Sequence, residues 1–391
     1  MVTFAWAQQS DSEAPQGKVM RKIRVGVVFG GRSGEHEVSL MSARSIMDAL
    51  DKDKYEVVPL GITRQGRWVT SGDPWQTLQA MLRETGHGQQ DAENRRHDTC
   101  PSKRELVPGI GAEGIPHVDV IFPVLHGPYG EDGTLQGLLE MAGIPYVGAG
   151  VLGSALGMDK AAMKAIFRAE GLPIADYVLV MRWEWEEHRA KVVQRVAQRI
   201  GYPCFVKPAN LGSSVGVSKV HESAGLPAAL DLAARYDRKM LVERAINARE
   251  IECSVLGNDH PIASLPGEVI PRREFYDYEA KYLDEATQLI VPADLPPPKV
   301  AEVQELAIRA FLALDCAGMA RADFFLDRQS GQFYINELNT IPGFTAVSMY
   351  PKMWEASGIP YPELLDQLIR LAFERQRDRS RISTSYKTDG Y

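Results

Sequence analysis

Residues 23–29 (IRVGVVF) form an unbroken apolar, β-branched run, followed by a turn, Gly30-Gly31-Arg32-Ser33-Gly34, and a predicted helix over 38–50. This is a strand, loop, helix opening. Further apolar runs at 55–62 and 118–125 predict two more strands, the second ending at His126-Gly127. Three strands with helical crossovers predict an open parallel α/β sheet whose strand C-termini face a ligand.

The stretch 76–116 is polar, rich in Gly, Glu, Arg and His, and reads as an insertion with partial helical character. A boundary falls near Gly148-Ala149-Gly150, where a second domain begins. Residues 154–170 predict one helix, which Gly171-Leu172-Pro173 stops. Short strands at 204–207, 215–220 and 240–243 predict an antiparallel sheet with a nucleotide-facing hairpin. Beyond Glu243, strands at 251–256, 318–326 and 333–338 alternate with a helix over 299–314, and 272–293 is a long polar loop of the kind that forms lids. The expected division is a tail at 1–20 and domains at 21–148, 149–242 and 243–391.

A chain of 391 residues, 45% hydrophobic and 24% charged, has the balance of a soluble globular protein with two or three domains around a cleft. Its formal net charge of -7 argues against a nucleic-acid binder with a broad basic face. Cys100, Cys204, Cys253 and Cys316 are far apart and have no zinc-ligand spacing, which suits a reducing compartment and hence the cytoplasm. The apolar run at 2–7 is short and lacks a preceding basic region, so neither a signal peptide nor a membrane span is expected.

Two stretches carry the chemistry. Asp323 follows Arg321 in one predicted strand, and Glu337 and Asn339 lie two apart in the next. Residues two apart share a strand face, so Asp323, Glu337 and Asn339 would present hard oxygen ligands together, as a magnesium site for a triphosphate requires. Solvation of an exposed sheet face explains the same residues equally well. Lys207 at a strand end precedes the loop Pro208-Ala209-Asn210-Leu211-Gly212-Ser213-Ser214, in which glycine lets backbone approach phosphate and serine donates to it. Ordinary hairpins also use such turns, and no GxxxxGK[ST] motif occurs.

In this order the two stretches resemble an ATP-grasp enzyme, and the remaining motifs resemble the D-alanine:D-alanine ligases. The segments are Gly30 to Ser39 (GGRSGEHEVS), Leu125-His126-Gly127 with Gly130-Glu131-Asp132-Gly133-Thr134, Met158-Asp159-Lys160, the Gly/Ser loop, Tyr276 to Tyr282 (YDYEAKY), and Glu337 to Gly343 (ELNTIPG). The resemblance covers roughly residues 23–370. It implies an α/β (α+β) ATP-grasp fold, with an N-terminal open parallel domain, a central antiparallel domain and a C-terminal catalytic domain. It also implies a cytoplasmic, commonly dimeric enzyme that joins two D-alanine molecules with ATP and two magnesium ions, manganese being a possible substitute. No nucleic-acid or membrane partner is expected.

Residue by residue, the resemblance implies that Glu35 holds the ammonium of the first D-alanine, His126 orients its carboxylate and Ser348 binds the carboxylate of the second. Lys160 and Lys207 meet the phosphates, with Gly212, Ser214 and Lys281 also on the nucleotide. Glu243 faces the adenine amino group and Glu250 the ribose. Asp323, Glu337 and Asn339 hold the metal. Arg321 and the Gly343 N–H stabilise the transferring phosphoryl group and the tetrahedral oxyanion. Ser213 and Tyr282 link to Glu35 across the closed cleft, and Tyr282 is the residue type associated with amine rather than D-lactate acceptors.

Overall fold

The computed structural model describes residues 21–70, 72–85, 116–212, 215–270, 287–345 and 347–383. The tail at 1–20, most of the 76–116 insertion and residues 271–286 of the expected lid lie outside them.

Strands β1 (Ile23–Gly30), β2 (Tyr55–Ile62), β3 (Trp68–Val69) and β4 (Val120–Val124) form the first sheet in the order β3-β2-β1-β4. β1 pairs in parallel with both β2 and β4, as expected, while the two-residue edge strand β3 is antiparallel to β2. β1 is buried along its C-terminal six residues, which is why it reads as a continuous apolar run. Helix α1 (His36–Ala49) begins two residues earlier than expected, and α2 (Pro74–Thr85) covers the first part of the insertion. α3 (Thr134–Ala142) follows the His126 loop.

The helix expected over 154–170 is in fact two, α4 (Val151–Met158) and α5 (Lys160–Ala169), broken at Asp159. Asp159 takes an extended conformation and its side chain accepts from the Ala161 and Ala162 N–H groups, both at 3.1 Å. It caps α5, a role its short oxygen-bearing side chain suits.

A second sheet, β5-β8-β6-β7, comprises β5 (Tyr177–Met181), β6 (Cys204–Pro208), β7 (Ser218–Val220) and β8 (Lys239–Arg244), all antiparallel. β7 is shorter than the expected 215–220 run, and β8 continues through the expected boundary at 242/243 because Glu243 pairs with both Tyr177 and Phe205. Helices α6 (Arg182–Arg199) and α7 (Leu226–Ala234) cover it through a core around Trp185 and Leu230.

The largest sheet contains β9 (Ala248–Gly257), β10 (Ile262–Ala263), β11 (Gly267–Ile270), β12 (Gln288–Ile290), β13 (Gly318–Asp327) and β14 (Phe333–Asn339), in the order β12-β11-β9-β13-β14 with β10 also on β9. Alternation sorts β13 cleanly: Ala320, Ala322, Phe324 and Leu326 enter a core with helix α8 (Pro297–Ala313), so Arg321 and Asp323 share the opposite face. In β14 the register slips between the Asp323–Glu337 and Phe324–Ile335 pairs, which leaves Asn336 as the extra residue of a β-bulge.

The final helices α9 (Met349–Ala356) and α10 (Tyr361–Arg379) return to the first sheet. Tyr350, Trp354, Leu364 and Leu368 join Val25, Phe29 and Phe122 in one core that also takes in Leu256 and Met319 of the large sheet. Truncating one such side chain, for instance Leu368→Ala, costs about 2–5 kcal/mol. That shared core holds the loops after β1 and β4 against the polar face of β13 and β14.

Candidate active site

Two cavities, of about 840 and 740 Å³, meet along one cleft. Glu35, His126, Arg321, Gly343 and Ser348 line the first, and Lys207, Glu243, Glu250, Asp323 and Asn336 the second. Lys160, Gly212, Glu252 and Glu337 border both. The Lys160 ammonium lies 3.2 Å from Glu337 Oε2 and donates to the Leu211 carbonyl at 3.0 Å, so it ties α5, the Gly/Ser loop and β14 together at the junction.

In the first lobe, the loops at the ends of β1 and β4 are cross-linked by Ser39, whose hydroxyl accepts from Gly30 N–H at 2.8 Å and donates to the Val124 carbonyl. Glu35 occupies the N-cap position of α1. Its Oε2 would lie 3.3 Å from a Cβ on Gly127 and 3.1 Å from one on Gly212, so two glycines let neighbouring backbone close around this carboxylate.

His126 is buried, and its Nδ1 contacts the Ile341 carbonyl at 3.2 Å. A carbonyl only accepts, so Nδ1 carries the hydrogen and Nε2, buried with no hydrogen-bond partner among the described residues, bears the lone pair of a neutral ring. Burial holds the imidazole below its ordinary value of 6.5, with Arg321 adding to that effect and Glu35 opposing it. An arriving carboxylate would favour the protonated ring, turning Nε2 into a donor. Nearby, Glu131 Oε2 accepts from Gly127 N–H at 2.5 Å, and burial beside Glu35 pushes its carboxyl up to about 8.

Arg321 spans to Asp323 with two bonds of 2.7 Å, from Nε and an amino group, and its Nε lies 3.1 Å from Glu252 Oε2. Burial disfavours its charge, but Asp323, Glu252 and Glu337 outweigh that and hold it firmly protonated. In the same lobe, Ser348 Oγ accepts from Thr345 N–H at 3.0 Å and pairs with its hydroxyl at 2.8 Å. A Cβ on Gly343 would come within 2.9 Å of that Oγ, so glycine there admits Ser348.

In the second lobe, Lys207 contacts Glu243 Oε2 at 2.5 Å and donates to Asn336 Oδ1 at 3.2 Å. Lys164, fully buried, reaches Glu243 Oε1 at 3.0 Å and donates to the Asn336 carbonyl at 3.0 Å. Burial would raise the Glu243 carboxyl, yet the two lysines hold it below the usual range. Glu243 lines the second lobe with its carboxylate engaged by two lysines, whereas the sequence reading has it facing the adenine amino group.

Asp323 stands opposite Glu337 in the register and Asn339 opposite Arg321, which places the expected metal ligands on one face. Asn339 Nδ2 donates to Asp323 Oδ2 at 2.9 Å, leaving its amide oxygen as a further hard donor. Among the described residues no three His, Cys, Asp or Glu side chains cluster as a metal site; the expected set joins two carboxylates to the Asn339 amide. Ser213, Ser214, Lys281 and Tyr282 lie outside the described residues.

Sequence reasoning missed Lys164, Glu252, Asn336 and Glu131. Lys164 lies four residues after Lys160 on the same helical face, and Glu252 two after Glu250 on the same strand face, so spacing was a usable signal for both. Glu131 stood inside a quoted motif. Asn336 owes its position to the bulge, which has no signature of its own in the sequence.

The D-ala D-ala ligase N-terminus family matches residues 24–149 and the D-ala D-ala ligase C-terminus family residues 166–370. D-alanine–D-alanine ligases of Heliobacterium modesticaldum and Solibacter usitatus are 53% and 50% identical to the chain, covering 93% and 92% of it and 98% of each relative. The fold is similar to that of the D-alanine-D-alanine ligase from Coxiella burnetii, with a TM-score of 0.76, 38% identity and coverage of 92% of this chain and 96% of that one. It is also similar to the VanG D-Ala:D-Ser ligase from Enterococcus faecalis, with a TM-score of 0.75, 36% identity and coverage of 90% and 100%.

Proposed function

Because the chain belongs to the D-alanine–D-alanine ligase family and has its ATP-grasp fold, we propose that the two-lobed cleft joins two D-alanine molecules at the expense of ATP, for peptidoglycan precursor synthesis. The observation that carries this reading is the junction at Lys160 and Glu337, where a lobe bearing Glu35, His126 and Arg321 opens into one bearing Lys207 and Glu243. A carboxylate in the first lobe and a triphosphate in the second would meet there.

A free carboxylate does not acylate an amine in water. The first D-alanine carboxylate attacks the γ-phosphate, giving an acyl phosphate and ADP, and the amine of the second D-alanine displaces phosphate. In this reading Glu35 pairs with the first ammonium, His126 orients the first carboxylate and Ser348 receives the second. Arg321 and the Gly343 N–H face the charge that develops on phosphoryl and tetrahedral oxygens, which is where preorganised donors contribute most. Gly212, Ser214 and Lys281 approach the nucleotide with Lys160 and Lys207, Glu250 serves the ribose, and Ser213 and Tyr282 connect to Glu35.

Asp323, Glu337 and Asn339 are oxygen donors on one sheet face, a set that fits magnesium. When bound, the ion neutralises phosphate oxygens and lowers the cost of bringing a carboxylate to them. A homodimer in the cytoplasm completes the reading. Among the described residues no helix is long and apolar enough to cross a membrane.

The test is phosphate release with product analysis, offering D-alanine alone and then D-alanine with equal D-serine or D-lactate. D-Alanine-dependent release of phosphate with D-alanyl-D-alanine as the main product at pH 7 is expected. A predominance of D-alanyl-D-lactate or a D-serine product would overturn the acceptor assignment, and no D-alanine-dependent release would overturn the whole reading.

A further inference from the structure

Lys164 cannot touch a ligand, since it has no exposed surface and does not line either lobe. Yet its ammonium group lies in a site whose other lysines, Lys160 and Lys207, reach the cavity. Its two partners, Glu243 Oε1 and the Asn336 carbonyl, are matched by Lys207, which holds Glu243 Oε2 and the Asn336 side-chain oxygen. Two lysines thus grip the same two residues, one from the helix side and one from the cavity side. The β-bulge makes this possible by presenting both the carbonyl and the side chain of Asn336 to them.

The consequence lies in what happens when Lys207 is wanted elsewhere. Lys207 would have to release Glu243 to meet a phosphate, and a buried carboxylate deprived of its only counter-charge costs several kcal/mol. Burial lowers the proton affinity of Lys164, but Glu243 opposes that loss, and with Lys164 in place Glu243 is never left alone. We propose that Lys164 is a positioning residue for nucleotide binding: a fixed counter-ion to Glu243 that releases Lys207 to the phosphates of ATP. This rests on the reading of Lys207 as a phosphate ligand.

The quantity that isolates the effect is the ratio of the dissociation constants of adenosine and ATP, measured on the whole protein, because only ATP calls on Lys207. Lys164→Met, close in volume and neutral, should leave Lys207 fixed on Glu243 and lower that ratio by about tenfold or more, each tenfold corresponding to about 1.4 kcal/mol. Lys164→Arg should restore part of it by returning the charge. Glu243→Gln acts in the opposite direction: it removes the charge that restrains Lys207, and the ratio should rise even where adenosine itself binds less well. That variant also keeps the proposal testable where Lys164→Met does not fold.

A purely structural role predicts that Lys164→Met weakens adenosine and ATP equally, and that result would overturn the proposal. So would an unchanged or lowered ratio in Glu243→Gln. Lys207→Met serves as the separate check on the underlying reading: if it leaves the ratio unchanged, Lys207 is not a phosphate ligand and the proposed site, rather than the role of Lys164 alone, is wrong.

Discussion

Replacing Arg321 by methionine should destabilise the protein and remove activity together, and the structure fixes the scale. Arg321 makes two 2.7 Å bonds to Asp323 and lies 3.1 Å from Glu252, with side-chain exposures of 16%, 16% and 11% for the three residues. A unit-charge pair about 4 Å apart at an effective dielectric near 20 is worth about 4 kcal/mol, and breaking a buried pair costs about 3–5 kcal/mol. Residual solvent and proton uptake by the orphaned carboxylates favour the lower end, about 3 kcal/mol. With a urea slope of up to about 3 kcal/mol per molar, the unfolding midpoint should fall by about 1 M. The pH dependence gives the cause. In the variant the carboxylates lose the cation between them, a cost that protonation relieves in the fold and not in the unfolded chain, so the folded state binds more protons and stability is recovered as pH falls from 7 towards 5. Phosphate release should drop by about 10²–10³-fold in the folded variant, as for loss of one oxyanion donor. Arg321→Lys keeps the charge without the two-pronged geometry and should recover stability better than turnover. A methionine variant with the wild-type midpoint and no recovery of stability at lower pH would refute the electrostatic reasoning.

Glu337→Gln, which removes a charge opposite Asp323 and beside Lys160, should abolish turnover while leaving the free energy of urea unfolding within about 1 kcal/mol of wild type; near-normal activity at modest magnesium would remove Glu337 from the metal set. His126 supplies a pH signature with two opposite signs. Its folded pKa lies below 6.5, so its contribution to stability is present above about pH 6.5 and is lost as pH falls towards the folded value. D-Alanine binding should instead weaken as pH rises, because a protonated ring is needed for Nε2 to donate; His126→Gln should flatten that profile, and an unchanged slope in the variant would assign the proton elsewhere.

Much of this protein is legible in its residues alone. The β1 run at 23–29, the strand carrying Arg321 and Asp323, and the placement of Glu337 and Asn339 on one strand face follow from apolar patterning and two-residue periodicity, which are local properties. The lysine before the Gly/Ser loop was visible for the same reason. Tertiary structure decided what local pattern cannot express. Asp159 divides one apparent helix into α4 and α5, because a cap depends on where the chain turns as well as on composition. Helices α9 and α10, last in the chain, complete the core of the first sheet, a contact set by packing over more than three hundred residues of separation. The Lys164–Glu243–Lys207 cluster draws on α5, β8 and β6 and closes on a bulge residue of β14. Each of those side chains reads singly as an ordinary surface charge, and only their burial together, where an unpaired charge is costly, makes them interdependent.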